Sequence, residues 1–284
     1  MLAYQHAYHA GNLADVHKHV ALFILQQRLQ EKPSAITYID THAGRGLYPL
    51  DAKETQRGAE YVDGVLPLWQ RRERLSDNNP LLDAWFMRLD SLNPRTALEC
   101  YPGSPWWFAD GMREQDRLHL FELHPGEIDH LDTSLNSLPD AHIQRTYGDG
   151  LAGLVKALPV SSPRLCVLID PSYELKDEYV HVAETLKVVA DKVRHAIVMI
   201  WYPMLPERRH LALTDAVAES GVRKVWQSEF TFRDPHQGRG LYGSGLLIFN
   251  PPWQLPEALD TTFGELATFY GAQAHHESTW CVTE

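Results

Sequence analysis

Cysteine is scarce in this chain. Cys100, Cys166 and Cys281 are the only three among 284 residues. An odd number with no close spacing argues against a disulfide scaffold and against a cysteine-based metal knuckle. The thiols are expected to be reduced, in a cytoplasmic protein, with Cys166 in the core. Long apolar runs are missing too. No stretch reaches the length that spans a bilayer, and the first residues lack the charged-then-apolar character of a signal peptide, so no membrane partner is expected. Positive charge is in deficit, with 26 Lys and Arg against 37 Asp and Glu and a formal net charge of −11. That argues against a protein coated in basic charge for nucleic acid, while leaving room for a local basic site. There is no internal repeat and no low-complexity segment. The apolar fraction of 44% supports a sizeable core. The length fits one large domain, or one domain carrying an insertion.

What stands out is Leu165-Cys166-Val167-Leu168-Ile169-Asp170-Pro171-Ser172-Tyr173. Five apolar residues in succession read as a strand buried on both faces, as in parallel sheets. Asp170 then falls at the strand's carboxyl end, where open α/β sheets bind ligands. Pro171 stops the strand. A carboxylate, a rigid carbonyl and a ring at one tip suit a planar base with an exocyclic amine. Asp170 and the Pro171 carbonyl would accept its N–H groups, and Tyr173 would stack on it. A plain strand followed by a Pro-Ser turn would look the same within this window.

Around it the chain alternates strands and helices. Tyr and His alternate with small residues at the start, and Asn12 caps a helix from Leu13 to about Glu31, with Asp15 near its positive end. His6, His9, His17 and His19 have no Glu or Cys completing a familiar ligand set, so no metal is expected. Ala35 to Asp40 reads as a strand running into the glycine turn Thr41-His42-Ala43-Gly44-Arg45-Gly46. Residues 47–100 change character. Tyr61–Trp69 and Leu81–Leu89 look helical, which marks a helical insertion beside the site, in a core formed by 1–46 and 101–284. Ser104 is read as an N-cap with Pro105 as first helical residue. Arg117–Glu122 is a strand ending in an acid, where nucleotide-binding α/β folds hold a ribose diol. Asp149, after a strand over His142–Thr146, either caps the helix Leu151–Leu158 or contacts ligand. A helix over Glu178–Lys192 leads to a strand Ala196–Tyr202 stopped by Pro203. A helix over Glu207–Glu219 carries Arg208, Arg209 and His210. Two strands, Val222–Phe232 and Gly245–Asn250, follow without a helix between them, which predicts a terminal antiparallel hairpin. The tail from Trp253 reads as helix and loop. This is an α/β order, with a mostly parallel, seven-stranded sheet covered on both faces.

Asp40-Thr41-His42-Ala43-Gly44, Glu122-Leu123-His124-Pro125, Gly148-Asp149-Gly150 and Asp170-Pro171-Ser172-Tyr173 follow the first four strands. Together they resemble the Rossmann-like class I methyltransferases that use S-adenosylmethionine. The last element resembles the Asp-Pro-Pro-Tyr motif of adenine amino-methyltransferases. His9-Ala10-Gly11-Asn12, Ala14-Asp15-Val16, Lys18-His19 and Pro102-Gly103-Ser104-Pro105 extend the likeness over nearly the whole chain. It is similar to the bacterial J-type 23S ribosomal RNA adenine-N6 methyltransferase family.

That resemblance implies roles. His19, His42, Ser104, Glu122, Asp149, Gly150 and Asp170 would line an S-adenosylmethionine pocket, with Glu122 on the ribose hydroxyls. Asp170, Pro171 and Tyr173 would be catalytic. Tyr4 and Lys18 would contact 23S RNA, naked or in an early precursor, and the protein would act as a monomer. Arg208, Arg209, Arg233 and Arg239 are further candidates for RNA contact. Ser172 departs from the motif, which has proline there. Two other readings share these residues: an adenine-N6 methyltransferase acting on DNA, and a nucleic-acid-binding protein serving the use of external DNA, to which relatives of the family have been linked.

Overall fold

A computed structural model describes residues 4–94, 96–135, 142–236 and 240–283. Helix α1 (Leu13–Gln30) begins where the Asn12 side chain accepts from the Asp15 amide. It leads into β1 (Ile36–Asp40). The next stretch holds β2 (Leu47–Pro49), α2 (Lys53–Gly58), α3 (Val65–Gln70), α4 (Arg72–Ser76), α5 (Pro80–Leu92) and β3 (Cys100–Pro102), with β3 antiparallel to β2. Then come α6 (Ser104–Gly111), β4 (Arg117–Glu122), α7 (Pro125–Leu135), β5 (Ile143–Tyr147), α8 (Gly150–Ala157), β6 (Arg164–Ile169), α9 (Glu178–Lys192) and β7 (Ile197–Met204). The chain closes with α10 (Leu211–Glu219), β8 (Val225–Thr231), β9 (Gly243–Phe249), α11 (Leu255–Tyr270) and β10 (His275–Val282).

The main sheet runs β10-β8-β9-β7-β6-β1-β4-β5. The five strands from β5 to β7 are parallel. Strand β9 runs antiparallel between β7 and β8. The tips of β1, β4, β5, β6 and β7 therefore open on one edge, and the sheet order reverses between β1 and β6, where such folds leave a crevice. The apolar runs of β1 and β6 lack alternation because both faces are covered. Tyr38, Cys166 and Leu168 feed a cluster on one face with α1 and α6. Ile39, Val167 and Ile169 feed another with α8 and α9.

The stretch 47–100 holds β2, the helices α2 to α5 and the first residue of β3. Its Leu68, Leu82, Trp85, Phe86 and Leu89 join the cluster of α1 and α6. Trp85 stacks on Trp107 of α6, with 5.5 Å between ring centroids.

The structure corrects four local readings. Strand β7 continues through Pro203 to Met204, paired there with β9. Its other neighbour, β6, pairs no further than Ile200, so the missing proline amide removes no ladder bond on that side. Gly103 caps α6 and Ser104 is its first residue. Helix α10 starts at Leu211 with His210 as its cap, which leaves Arg208 and Arg209 on the preceding loop. The tail adds β10, antiparallel along β8, as an eighth strand beyond the expected seven, beside the expected antiparallel hairpin of β8 and β9.

Candidate active site

A cleft of about 660 Å³ lies along the strand tips. Tyr4, Lys18, His19, His42, Ser104, Glu122, Asp149, Gly150, Asp170 and Pro171 line it as expected, whereas Tyr173 and the candidates Arg208, Arg209 and Arg233 do not.

One half gathers polar groups about Glu122. Gly44, at φ +61°, turns the chain after β1 so that its amide donates to Glu122 Oε2 at 2.7 Å. The His124 amide donates to Oε1 at 2.6 Å. Two backbone donors thus aim the carboxylate, and each oxygen keeps a lone pair for a hydroxyl. Burial raises the Glu122 pKa, against the pull of these amides. Asp149 caps α8 by accepting from the Ala152 amide at 3.0 Å, and it lines the cleft as well. Both roles weighed for it are thus compatible. At Gly150 a Cβ would overlap the Thr41 carbonyl oxygen, so only glycine lets β1's turn and α8 meet there.

One buried atom of the cleft lining has no hydrogen-bond partner among the described residues, His19 Nε2. His19 is oriented by Tyr101, whose hydroxyl lies 2.9 Å from Nδ1. Burial drives its pKa well down, so it is neutral. Behind the lining, fully buried Asp40 accepts from the His42 amide through Oδ1 at 3.2 Å, and burial lifts its pKa to about 7 against a hydrogen bond from Ser104. Orphaned buried polar atoms are costly unless a ligand satisfies them. A ligand with a carboxylate for the His19 N–H and a ribose for Glu122 fits this set. The residues present therefore suit S-adenosylmethionine.

The other half centres on Asp170. Lys18 Nζ donates to its Oδ2 at 2.6 Å and stands 3.1 Å from Asp15 Oδ1. Asp15 also accepts from the Gly11 amide at 2.9 Å and lies 2.9 Å from His6 Nε2. Tyr4 completes the chain, its hydroxyl 2.9 Å from His6 Nδ1. Burial opposes the Lys18 charge, yet the Asp170 and Asp15 carboxylates hold its pKa above the usual value. Burial raises the Asp170 pKa and Lys18 opposes that rise. Lys18 is thus a buried counter-ion at the cleft floor rather than an exposed hand for RNA phosphates, because two carboxylates already share it.

Tyr173 is placed elsewhere than expected. The chain turns back at it with φ +53°. Its ring stacks on Tyr179 of α9 at 4.3 Å, and its hydroxyl donates to the Trp201 carbonyl at 2.8 Å. Only 5% of it is exposed. Its apolar area is spent on the lower core, so it offers no free face to a base. The half-buried ring of Trp201 lines the cleft instead. The sequence reading passed over Trp201, and also Asp15, Asp40 and His6 as polar partners. A Trp-Tyr-Pro run at the tip of the fifth parallel strand was the available signal for the first.

The N-terminal segment is fastened to the insertion. Glu60 lies 2.8 Å from His9 Nδ1 and accepts from Asn12 Nδ2 at 2.9 Å. Arg208 and Arg209 are exposed on the loop after β7, and Arg233 on the loop before β9. Both loops reach the cleft rim, through Leu205 and Leu241. Arg239 lies outside the described residues. No helix among the described residues is long and apolar enough to cross a membrane.

Five parallel strands, an antiparallel strand slotted between β7 and β8, and a cleft at the switch point define a class I methyltransferase fold. The model of the family described as ribosomal RNA large subunit methyltransferase D, RlmJ, matches residues 33–282. The chain belongs to that family. It is 32% identical over 286 residues to ribosomal RNA large subunit methyltransferase J of Escherichia coli K12, with all of both chains covered. The Haemophilus influenzae protein of the same name is 33% identical, over 90% of this chain and 89% of that one. A crystal structure of a Legionella pneumophila protein superposes with a TM-score of 0.87 at 31% identity, covering 96% of this chain and 98% of that one.

Proposed function

We propose that this protein methylates N6 of an adenine in 23S ribosomal RNA, using S-adenosylmethionine. The observation that carries the reading is Asp170 at the tip of β6, with Lys18 on one carboxylate oxygen and the other left to accept from a ligand. The family and the names of its relatives point to the large ribosomal RNA as substrate.

Adenine's N6 lone pair is delocalised into the ring, so the amine is a weak nucleophile. The free Asp170 oxygen and the Pro171 carbonyl accept its two N–H groups and favour a pyramidal nitrogen. The cofactor supplies a methyl group already activated by its sulfonium. Glu122 holds the ribose hydroxyls, while His19 meets the carboxylate of the amino-acid end. On methylation the amine would have to shed one proton, which Asp170 or water would take. Most of the acceleration comes from in-line positioning. Lys18 keeps Asp170 ionised so that it accepts rather than donates. The base must be turned out of the stack to reach this point, so naked RNA or an early cytoplasmic precursor is the expected substrate. The protein would bind it as a monomer.

The test is single-turnover methyl transfer with ribo- and deoxyribo-oligonucleotides of one sequence, comparing intact protein with Asp170→Ala. The reading expects transfer to RNA only, abolished in the variant while cofactor titration is unchanged. Preference for the deoxy substrate would move the assignment to DNA, and full activity of the variant would remove Asp170 from the chemistry.

A further inference from the structure

A chain of hydrogen bonds runs from the cleft into the far side of the molecule. Trp201 Nε1 donates to Ser244 Oγ at 2.9 Å. Ser244 Oγ lies 2.9 Å from His17 Nδ1. His17 Nε2 lies 3.1 Å from Ser228 Oγ, and Ser228 Oγ 2.8 Å from His276 Nε2. His276 Nδ1 faces Asp260 at 4.0 Å. The chain links β7, β9, α1, β8, β10 and α11. Its middle is sealed, with Ser228 and Ser244 fully buried and His17 1% exposed.

Its direction follows from donor chemistry. An indole N–H only donates. If Ser244 then donates to His17 Nδ1, His17 Nε2–H donates to Ser228. Ser228 donates to His276 Nε2, and His276 Nδ1–H faces the Asp260 carboxylate. Every hydrogen in that arrangement has an acceptor. The reverse tautomers strand the Ser244 hydrogen and set a bare Nδ1 lone pair against a carboxylate. Phe263 packs edge-on against the His17 ring at 4.5 Å between centroids and fixes its plane.

Trp201 is the half-buried ring beside Asp170 that Tyr173 fails to supply, and Lys18 Nζ stands 5.5 Å from its centroid. Resting on the functional reading above, we propose that Trp201 is the wall against which the acceptor base packs, and that His17, acting through Ser244, is a positioning residue that sets its plane. The C-terminal β10 and α11 thus help to shape the acceptor end, and the cofactor end is untouched.

The test is a cycle of Trp201→Phe, Ser244→Ala and both together, measured as KM for RNA, kcat, and cofactor affinity. Ser244→Ala removes the acceptor of the indole N–H and should raise the RNA KM about tenfold, with cofactor affinity unchanged. Trp201→Phe has no N–H to hold, so adding Ser244→Ala to it should change KM by less than about twofold. If Ser244→Ala loses cofactor binding through misfolding, His17→Gln takes its place in the cycle. Effects that multiply, or an RNA KM untouched by Ser244→Ala while intact protein methylates RNA, overturn this proposal alone. No transfer to RNA by intact protein overturns the functional reading and this one with it.

Discussion

Replacing Lys18 by Met tests the electrostatic core of the site. The substitution keeps the apolar stem and removes the ammonium. At the 2.6 Å separation from Asp170 and an effective dielectric of ~20, the Coulomb attraction is about 6 kcal/mol. Desolvation offsets part of this, and removing one partner of a buried pair costs about 3–5 kcal/mol. For a chain of this length that is a fall of about 5–8 °C in Tm. The pH dependence is more diagnostic than the size. Burial raises the Asp170 pKa even with Lys18 pulling against it, and without Lys18 it rises further. A carboxyl with a raised folded pKa contributes stability below its unfolded pKa and loses it as pH rises through the folded value. The variant's deficit should therefore be small in acid and grow toward alkaline pH. Its methyl-transfer profile should instead move to higher pH, with activity lost first in acid, because the chemistry needs the carboxylate. Paired denaturation scans at about pH 5 and about pH 8, with Asp170→Asn completing the cycle, measure this. An equal deficit at both pH values, or no coupling to Asp170→Asn, would refute the reasoning.

Four further outcomes are expected. Glu122→Ala should weaken cofactor binding about tenfold or more by isothermal titration, since it orphans the Gly44 and His124 amides along with the ribose hydroxyls, and RNA binding should hold. Asp40→Asn should flatten the stability profile between the ordinary carboxylate pKa and about 7. In the intact protein that contribution is lost as pH rises through this window, and denaturation midpoints across it would show the difference. Gly150→Ala pushes a methyl into the Thr41 carbonyl and should cost about 1–3 kcal/mol in urea denaturation. Reversing Arg208 and Arg209 to Glu should lower the slope of RNA affinity against salt, read by fluorescence anisotropy at several ionic strengths.

Much of this was legible in one dimension because strand tips are local. Asp170 follows an apolar run and Glu122 closes the alternating strand Arg117–Phe121, so their place at the sheet's mouth could be read from the strand ends alone. The limits of α9 were equally plain from its periodicity. What escaped depends on partners far away in the chain. Tyr173 sits in the motif's aromatic position, yet its ring is claimed by Tyr179 and its hydroxyl by Trp201. Lys18 reads as a surface charge until Asp170 is brought beside it. His17 looks like one histidine of several, and its serine partners come from β8 and β9. Strand β10 is polar on most positions because it pads an edge, so no apolar alternation announces it. Pro203 stops a strand in isolation but not where the neighbour has already ended.

The most direct measurement is transfer of isotopically labelled methyl from S-adenosylmethionine to protein-free 23S RNA from cells lacking this protein, followed by nucleoside analysis. Label in N6-methyladenine with the intact protein, and none with Asp170→Ala, is the predicted result. Label in another nucleoside, or equal label with the variant, would contradict the assignment of Asp170 to an adenine amine.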